Sequence, residues 1–153
     1  MPRSGPTCDE RPWFAITATG HPAVIPLGPW AYRGDPRYAR EAAGAGRVWD
    51  DIDLALSRRV ASCRLMIYCR DEPTGIDQVV RAYAAVRGVS CLPVAQMRDQ
   101  WGDDAPFRRD LDMVNRSHAV LWFGEEQNDG DPARIAQLLG IKVRIVCRIA
   151  DEG

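Results

Sequence analysis

Three stretches of the chain place residues able to bind or polarise a ligand directly after apolar runs. They are Thr19-Gly20-His21-Pro22, Arg70-Asp71-Glu72-Pro73-Thr74-Gly75-Ile76-Asp77, and Gly124 to Asp131. The middle stretch has the character of a phosphate loop, because glycine lets a backbone approach closely and a helix N-terminus presents free N–H groups. It holds one glycine and two acids, and neither Gly-x-Gly-x-x-Gly nor a Walker pattern occurs in the chain.

Each candidate residue has a chemical use and a plainer alternative. His21 could contact a ligand or exchange a proton, or bond to nearby backbone. Thr74 offers a hydroxyl and Gly75 a free N–H. Asp77 could hold ribose hydroxyls or simply offset a helix dipole. Arg109 suits a phosphate, although its neighbours Arg108 and Asp110 fit a solvated charged face equally well. Glu125 and Glu126 could serve acid–base chemistry or only face water. Trp30, Tyr32 and Tyr38, interleaved with Arg33, Arg37 and Arg40, could stack a base or pin a loop. His118 opens an apolar run with no acid or thiol beside it, which points to a structural imidazole.

The elements that must carry these residues follow from periodicity. Trp13 to Thr19 is short, apolar and β-branched, which predicts a strand. Residues 20–46 are rich in proline and glycine, with room for a short helix from Pro36 to Ala43. Trp49, Ile52, Leu56, Val60 and Cys63 mark one face of a helix, with Asp50, Asp51 and Asp53 near its expected start. Leu65 to Cys69 suits a strand buried on both faces. A helix from Gly75 to Arg87 buries Ile76, Val79, Val80 and Tyr83, and Gly88 can cap it. Then come a strand from Val89 to Ala95, a polar turn region from Gln96 to Ala105, and a helix from Pro106 to Ser117 with Phe107, Leu111 and Val114 inward. A strand from His118 to Phe123, a helix from Asp131 to Leu139 and a strand from Ile141 to Ile149 complete the series. Such alternation predicts one doubly wound, mostly parallel α/β sheet of about five strands with helices on both faces. Residues 1–12 are expected to be a flexible N-terminus, 13–149 the domain, and 150–153 a tail.

Bulk composition narrows the functional classes. A chain of 153 residues can bury a real core without staples. The formal net charge of -1 gives no footprint for nucleic acid or an anionic membrane. Lys142 is the only lysine among the 20 basic residues, a bias better explained by a GC-rich genome than by phosphate recognition. The five cysteines, Cys8, Cys63, Cys69, Cys91 and Cys147, show no C-x-x-C pair or zinc spacing. No metal and no cofactor are expected, nor any signal peptide or membrane span, so a cytoplasmic protein with free thiols is the expectation.

The ordered succession of motifs resembles the SLOG superfamily, Rossmann-like domains related to DNA-processing Smf proteins and cytokinin-activating Lonely Guy enzymes. It is most similar to the small bacterial and phage branches. The matching stretches are Thr19-Gly20-His21-Pro22, Pro73-Thr74-Gly75-Ile76-Asp77, Trp101, Arg109-Asp110-Leu111-Asp112-Met113, and the strand His118 to Phe123 leading into Gly124. Asn128-Asp129-Gly130-Asp131 stands where a Gly-Gly-Thr loop is usual. Pro22 replaces the usual Arg, Asp110 the usual Asn, and the Pro-Gly-Gly-x-Gly-Thr-x-x-Glu signature of phosphoribohydrolysis has no counterpart.

The resemblance implies a pocket formed by Thr19, Gly20, His21, Thr74, Gly75, Asp77, Arg109, Gly124 and Gly130, holding a nucleotide-like small molecule, and a possible homo-oligomer. Binding or sensing is therefore the leading expectation. A nucleotide hydrolase using Asp77, Glu125 or Glu126, or an interaction module with a degenerate pocket, are the alternatives.

Overall fold

A computed structural model describes residues 11–20, 45–72, 75–124 and 130–146. In chain order its elements are β1 Trp13–Gly20, α1 Ala45–Ser62, β2 Arg64–Arg70, α2 Ile76–Arg87, β3 Ser90–Val94 and α3 Arg98–Trp101. A 3-10 turn over Gly102–Asp104 then leads into α4 Ala105–Asn115, β4 Ala119–Phe123, α5 Pro132–Leu139 and β5 Lys142–Val146. The strands form one sheet in the order β3-β2-β1-β4-β5, and all four pairings are parallel. This is a Rossmann-like α/β fold. Chain order reverses between β1 and β4, and in open sheets of this kind ligands generally bind beyond the carboxyl ends of the strands, near such a reversal.

Parallel strands need crossover connections, and these coat both faces of the sheet. One core cluster joins α1 and α2 to the sheet through Ile16, Ala18, Leu65, Ile67, Cys69, Leu121 and Phe123. A second gathers Val114 of α4 and Ala133, Ile135 and Ala136 of α5 around Val120 and Trp122. Successive strand residues point to opposite faces, which explains why β4 feeds both clusters and is buried throughout. The edge strands β3 and β5 are only partly covered, and Pro93, which has no backbone N–H to donate, stands in an edge strand, where a missing ladder donor costs least.

Most expected elements are present, with instructive shifts. The apolar face proposed for α2 is buried as expected at Ile76, Val79, Val80 and Tyr83. Gly88 caps this helix in the left-handed conformation, φ 68°, its N–H donating to Ala84 O. The first helix begins at Ala45, so its first turn has no acid. Asp53 instead accepts from Tyr83 Oη at 2.9 Å and Arg87 Nη2 at 2.7 Å, tying α1 to α2. Within the turn region expected from Gln96 to Ala105, the chain forms α3 and the 3-10 turn.

The largest correction concerns α4. Phe107 is 43% exposed, and the buried face carries Ala105, Arg109, Asp110, Met113 and Val114. Of the three apolar residues expected on its inner side, Val114 is buried and Leu111 packs against the same cluster, but Phe107 is exposed and two charged residues share the buried face. The possible helix from Pro36 to Ala43 and the aromatic–arginine stretch from Trp30 to Arg40 lie outside the described residues.

His118 is structural. Its backbone N–H donates to Ala15 O at 2.7 Å, and its Nδ1 accepts from Ala15 N at 2.9 Å. Its ring stacks on Phe14, 5.3 Å between centroids. Cys63, Cys69 and Cys91 are free thiols, as expected. Among the described residues, no helix is long and apolar enough to cross a membrane.

Candidate functional site

The strand ends are organised by two polar assemblies. The first centres on Asp77, in the first turn of α2 and only 4% exposed. One carboxylate oxygen, Oδ1, accepts from Thr19 Oγ1 at 2.8 Å and from the backbone N–H of Arg70, also at 2.8 Å. A single side chain therefore joins the ends of β1 and β2 to the start of α2. Gly75 precedes it with φ 79° and ψ −151°, a backbone conformation open to glycine alone, and its carbonyl accepts from Gln78 N and Val79 N.

Burial pushes the Asp77 carboxyl up to about 6, against the opposing pull of the Thr19 and Arg70 hydrogen bonds and the nearby Arg70 and Arg81 guanidiniums. A carboxyl whose folded pKa is raised adds stability at low pH, because the folded protein binds the proton more tightly than the unfolded chain. That stability is fully present below pH 3.8 and disappears as pH rises through about 6. Asp77→Asn keeps an oxygen acceptor for Thr19 and Arg70 while removing the titration. Urea denaturation between pH 4 and 7 is expected to show a fall in stability for the native protein, with about 3 kcal/mol as its ceiling. The variant should lose that slope.

The second assembly is a buried ion cluster. Arg70, the last residue of β2, grips Asp110 of α4 in a two-pronged contact, Nε to Oδ1 at 3.1 Å and Nη2 to Oδ2 at 2.8 Å. Arg109 Nε reaches the same Oδ1 at 3.0 Å. Arg70 also extends across the switch point, with Nη1 3.5 Å from Gly20 O and its guanidinium 5.7 Å from the Trp122 ring centroid. Two guanidiniums thus share one buried carboxylate. Arg109 has a further partner in Glu72, 46% exposed, whose Oε2 lies 3.4 Å from Arg109 Nη1.

A crevice of about 450 Å³ opens beside this cluster, beyond the ends of β2 and β3. Arg109, Glu72, Asp71 and Gln96 line it, with Arg98 and Asp99 from α3. Gln96 Oε1 is buried there without a hydrogen-bond partner among the described residues. The lining mixes three carboxylates with two guanidiniums, so it offers acceptors for hydroxyl and amino groups as well as donors for an anion.

The structure sorts the residues singled out in the sequence. Thr19, Gly75 and Asp77 meet at the ends of β1 and β2, and Arg109 stands on the crevice wall. Gly20 packs against β4, where an added Cβ would lie 2.5 Å from Phe123 O. Gly124, with φ 136°, continues the sheet by donating to Val146 O at 2.8 Å. Gly130 lies near α4, where an added Cβ would be 3.5 Å from Phe107 Cδ1. His21, Thr74, Glu125 and Glu126 lie outside the described residues.

Arg70 and Glu72 belong to the middle strand-end stretch of the sequence, and the structure alone pairs them with Asp110 and Arg109. Their signal in the sequence was a charged pair closing the apolar run Leu65 to Cys69, at the strand end where this fold binds ligands. Compared with family models, curated proteins and solved structures, the chain matches none.

Proposed function

We propose that the protein binds a phosphate-bearing, nucleotide-like small molecule in the crevice beyond β2 and β3, as a SLOG-like ligand-binding domain. One observation carries this reading: Arg109 is 5% exposed on the crevice wall, and Glu72, its partner there, is itself 46% exposed. A phosphate arriving from the crevice can replace Glu72 on Arg109 without disturbing the Arg70–Asp110 contact. Charge-assisted contacts of this kind are roughly twice as strong as neutral ones. The volume of about 450 Å³ is in the range of small-molecule sites, and Gln96 Oε1 offers an acceptor to a base or sugar donor.

Calorimetric titration with nucleoside monophosphates, cyclic nucleotides, ADP-ribose and the corresponding nucleosides tests the reading. At least one phosphorylated compound should bind, its nucleoside should bind at least tenfold more weakly, and Arg109→Met should lose a similar factor. Silence across the panel, or unchanged affinity in the variant, overturns it.

The hydrolytic alternative has only the Asp77 carboxyl, raised by burial to about 6, in its favour, and that side chain is 4% exposed and not among the residues lining the crevice. Chromatography of the incubated nucleotides for released base separates the two. Binding without turnover leaves the binding domain.

A further inference from the structure

A second recess, of about 320 Å³, adjoins the strand-end crevice between the end of β3, α3 and α4. The two cavities share Ala95, Met97 and Arg109 in their linings. Beyond that junction the recess is flanked by Trp101, Arg108 and Leu111. Its apolar surface is open, since Met97 is 56% and Trp101 38% exposed. Ala95 and Arg108 are exposed as well.

Local structure holds these side chains in place without burying them. Trp101 N donates to Met97 O at 2.9 Å, which closes a helical turn and sets the two side chains, four residues apart, on one side of it. Helix α3 buries none of its residues, so its tryptophan is not spent on the core. From α4, the Arg108 guanidinium lies 4.3 Å from the Trp101 ring centroid, within the range of a cation–π contact. The flank of the recess is therefore an indole–guanidinium pair braced by two elements, and unstacked bases lie on planes of both kinds. On the crevice side Gln96, the neighbour of Met97, keeps its Oε1 buried without a hydrogen-bond partner among the described residues. A buried acceptor of that kind is costly unless a donor reaches it.

We propose that this recess takes the base of the bound nucleotide, an amino-bearing purine of the adenine type. The ring stacks against Trp101 and Met97, and its exocyclic amino group donates to Gln96 Oε1. This base site rests on the phosphate reading of Arg109 given above and adds the part of the ligand that is discriminated. Arg109 stands where the two cavities meet, so a phosphate held there and a base beside it can belong to one nucleoside monophosphate. Glutamine is a suitable partner for the adenine amino group. A keto oxygen at the same ring position, as in hypoxanthine, would face Oε1 acceptor to acceptor.

Calorimetric titration of the full chain with adenosine 5′-monophosphate, inosine 5′-monophosphate and ribose 5-phosphate tests the proposal. The adenine nucleotide should bind about tenfold more tightly than ribose 5-phosphate, in keeping with one base stacked on an aromatic ring. It should also bind about threefold or more tightly than the inosine nucleotide, the effect of one hydrogen bond. In Trp101→Ala the ratio between the adenine nucleotide and ribose 5-phosphate should fall to about one, and Trp101→Phe, which keeps a ring, should restore most of it. Equal binding of those two compounds by the native chain, or an unchanged ratio in Trp101→Ala, overturns the base site and leaves the phosphate reading standing. Equal binding of the adenine and inosine nucleotides overturns the contact to Gln96. If none of the three compounds binds, the phosphate reading falls and the base site falls with it.

Discussion

Asp110→Ala is expected to be the most damaging single substitution in the described polar network, lowering stability by about 3–5 kcal/mol. Asp110 is 3% exposed and accepts from Arg70 through both oxygens and from Arg109 through one. Its removal leaves two guanidiniums, with side chains 11% and 5% exposed, without their buried counter-charge. Desolvated charge without a partner costs far more than the pair contributes when intact. The exposed pair Arg116–Asp112 is the internal control, since its side chains are 53% and 48% exposed. Asp112→Ala there should cost about 0.5 kcal/mol or less. Thermal denaturation monitored by circular dichroism measures both. At roughly 2–4 °C per kcal/mol for a chain of this size, Asp110→Ala should melt about 6–20 °C below the native protein. Equal melting temperatures for the two variants would sink this account of the cluster.

The second large effect is expected from Gly20→Ala. A Cβ at Gly20 would sit 2.5 Å from Phe123 O, 2.7 Å from Phe123 Cβ and 3.1 Å from Ile76 Cγ1. The first of these is backbone of the interior strand β4, which cannot swing aside as a side-chain end can. Overpacking of well-filled interiors costs about 1–3 kcal/mol and sometimes more, and this site should fall at the upper end. Gly130→Ala, whose Cβ would meet, among the described residues, only Phe107 Cδ1 at 3.5 Å, should change stability by less than about 0.5 kcal/mol. Chemical denaturation of both variants decides the matter, and a neutral Gly20→Ala would contradict the close approach. The glycine after β1 is thus required by packing, a reason the sequence motif did not reveal.

The alternation of strands and helices is legible in the order of the residues alone. So are the inward face of α2 and the cap at Gly88, because each depends on residues within one or two turns of each other. Apolar runs such as Leu65 to Cys69 and Ala119 to Phe123 are recognisable as buried strands for the same local reason. Asp77 and Thr19 were also visible as candidates, though not as partners of one another 58 residues apart.

For α4 the sequence indicated Val114 and Leu111 against the core, whereas the burial of Arg109 and Asp110 became visible only in three dimensions. Local periodicity favoured an apolar stripe through Phe107, yet the helix buries Arg109 and Asp110. The reason is Arg70, 40 residues earlier in the chain, whose guanidinium arrives at the end of β2 and supplies the counter-charge that makes burying Asp110 tolerable. Strand order likewise decided which cations come together. Arg58 and Arg144 are unrelated in sequence, and they line one recess because β4 pairs beside β1 and carries β5 to the sheet edge. Periodicity is a property of neighbours along the chain. Charge pairing and layer coverage are properties of neighbours in space, and the fold had to form before they existed.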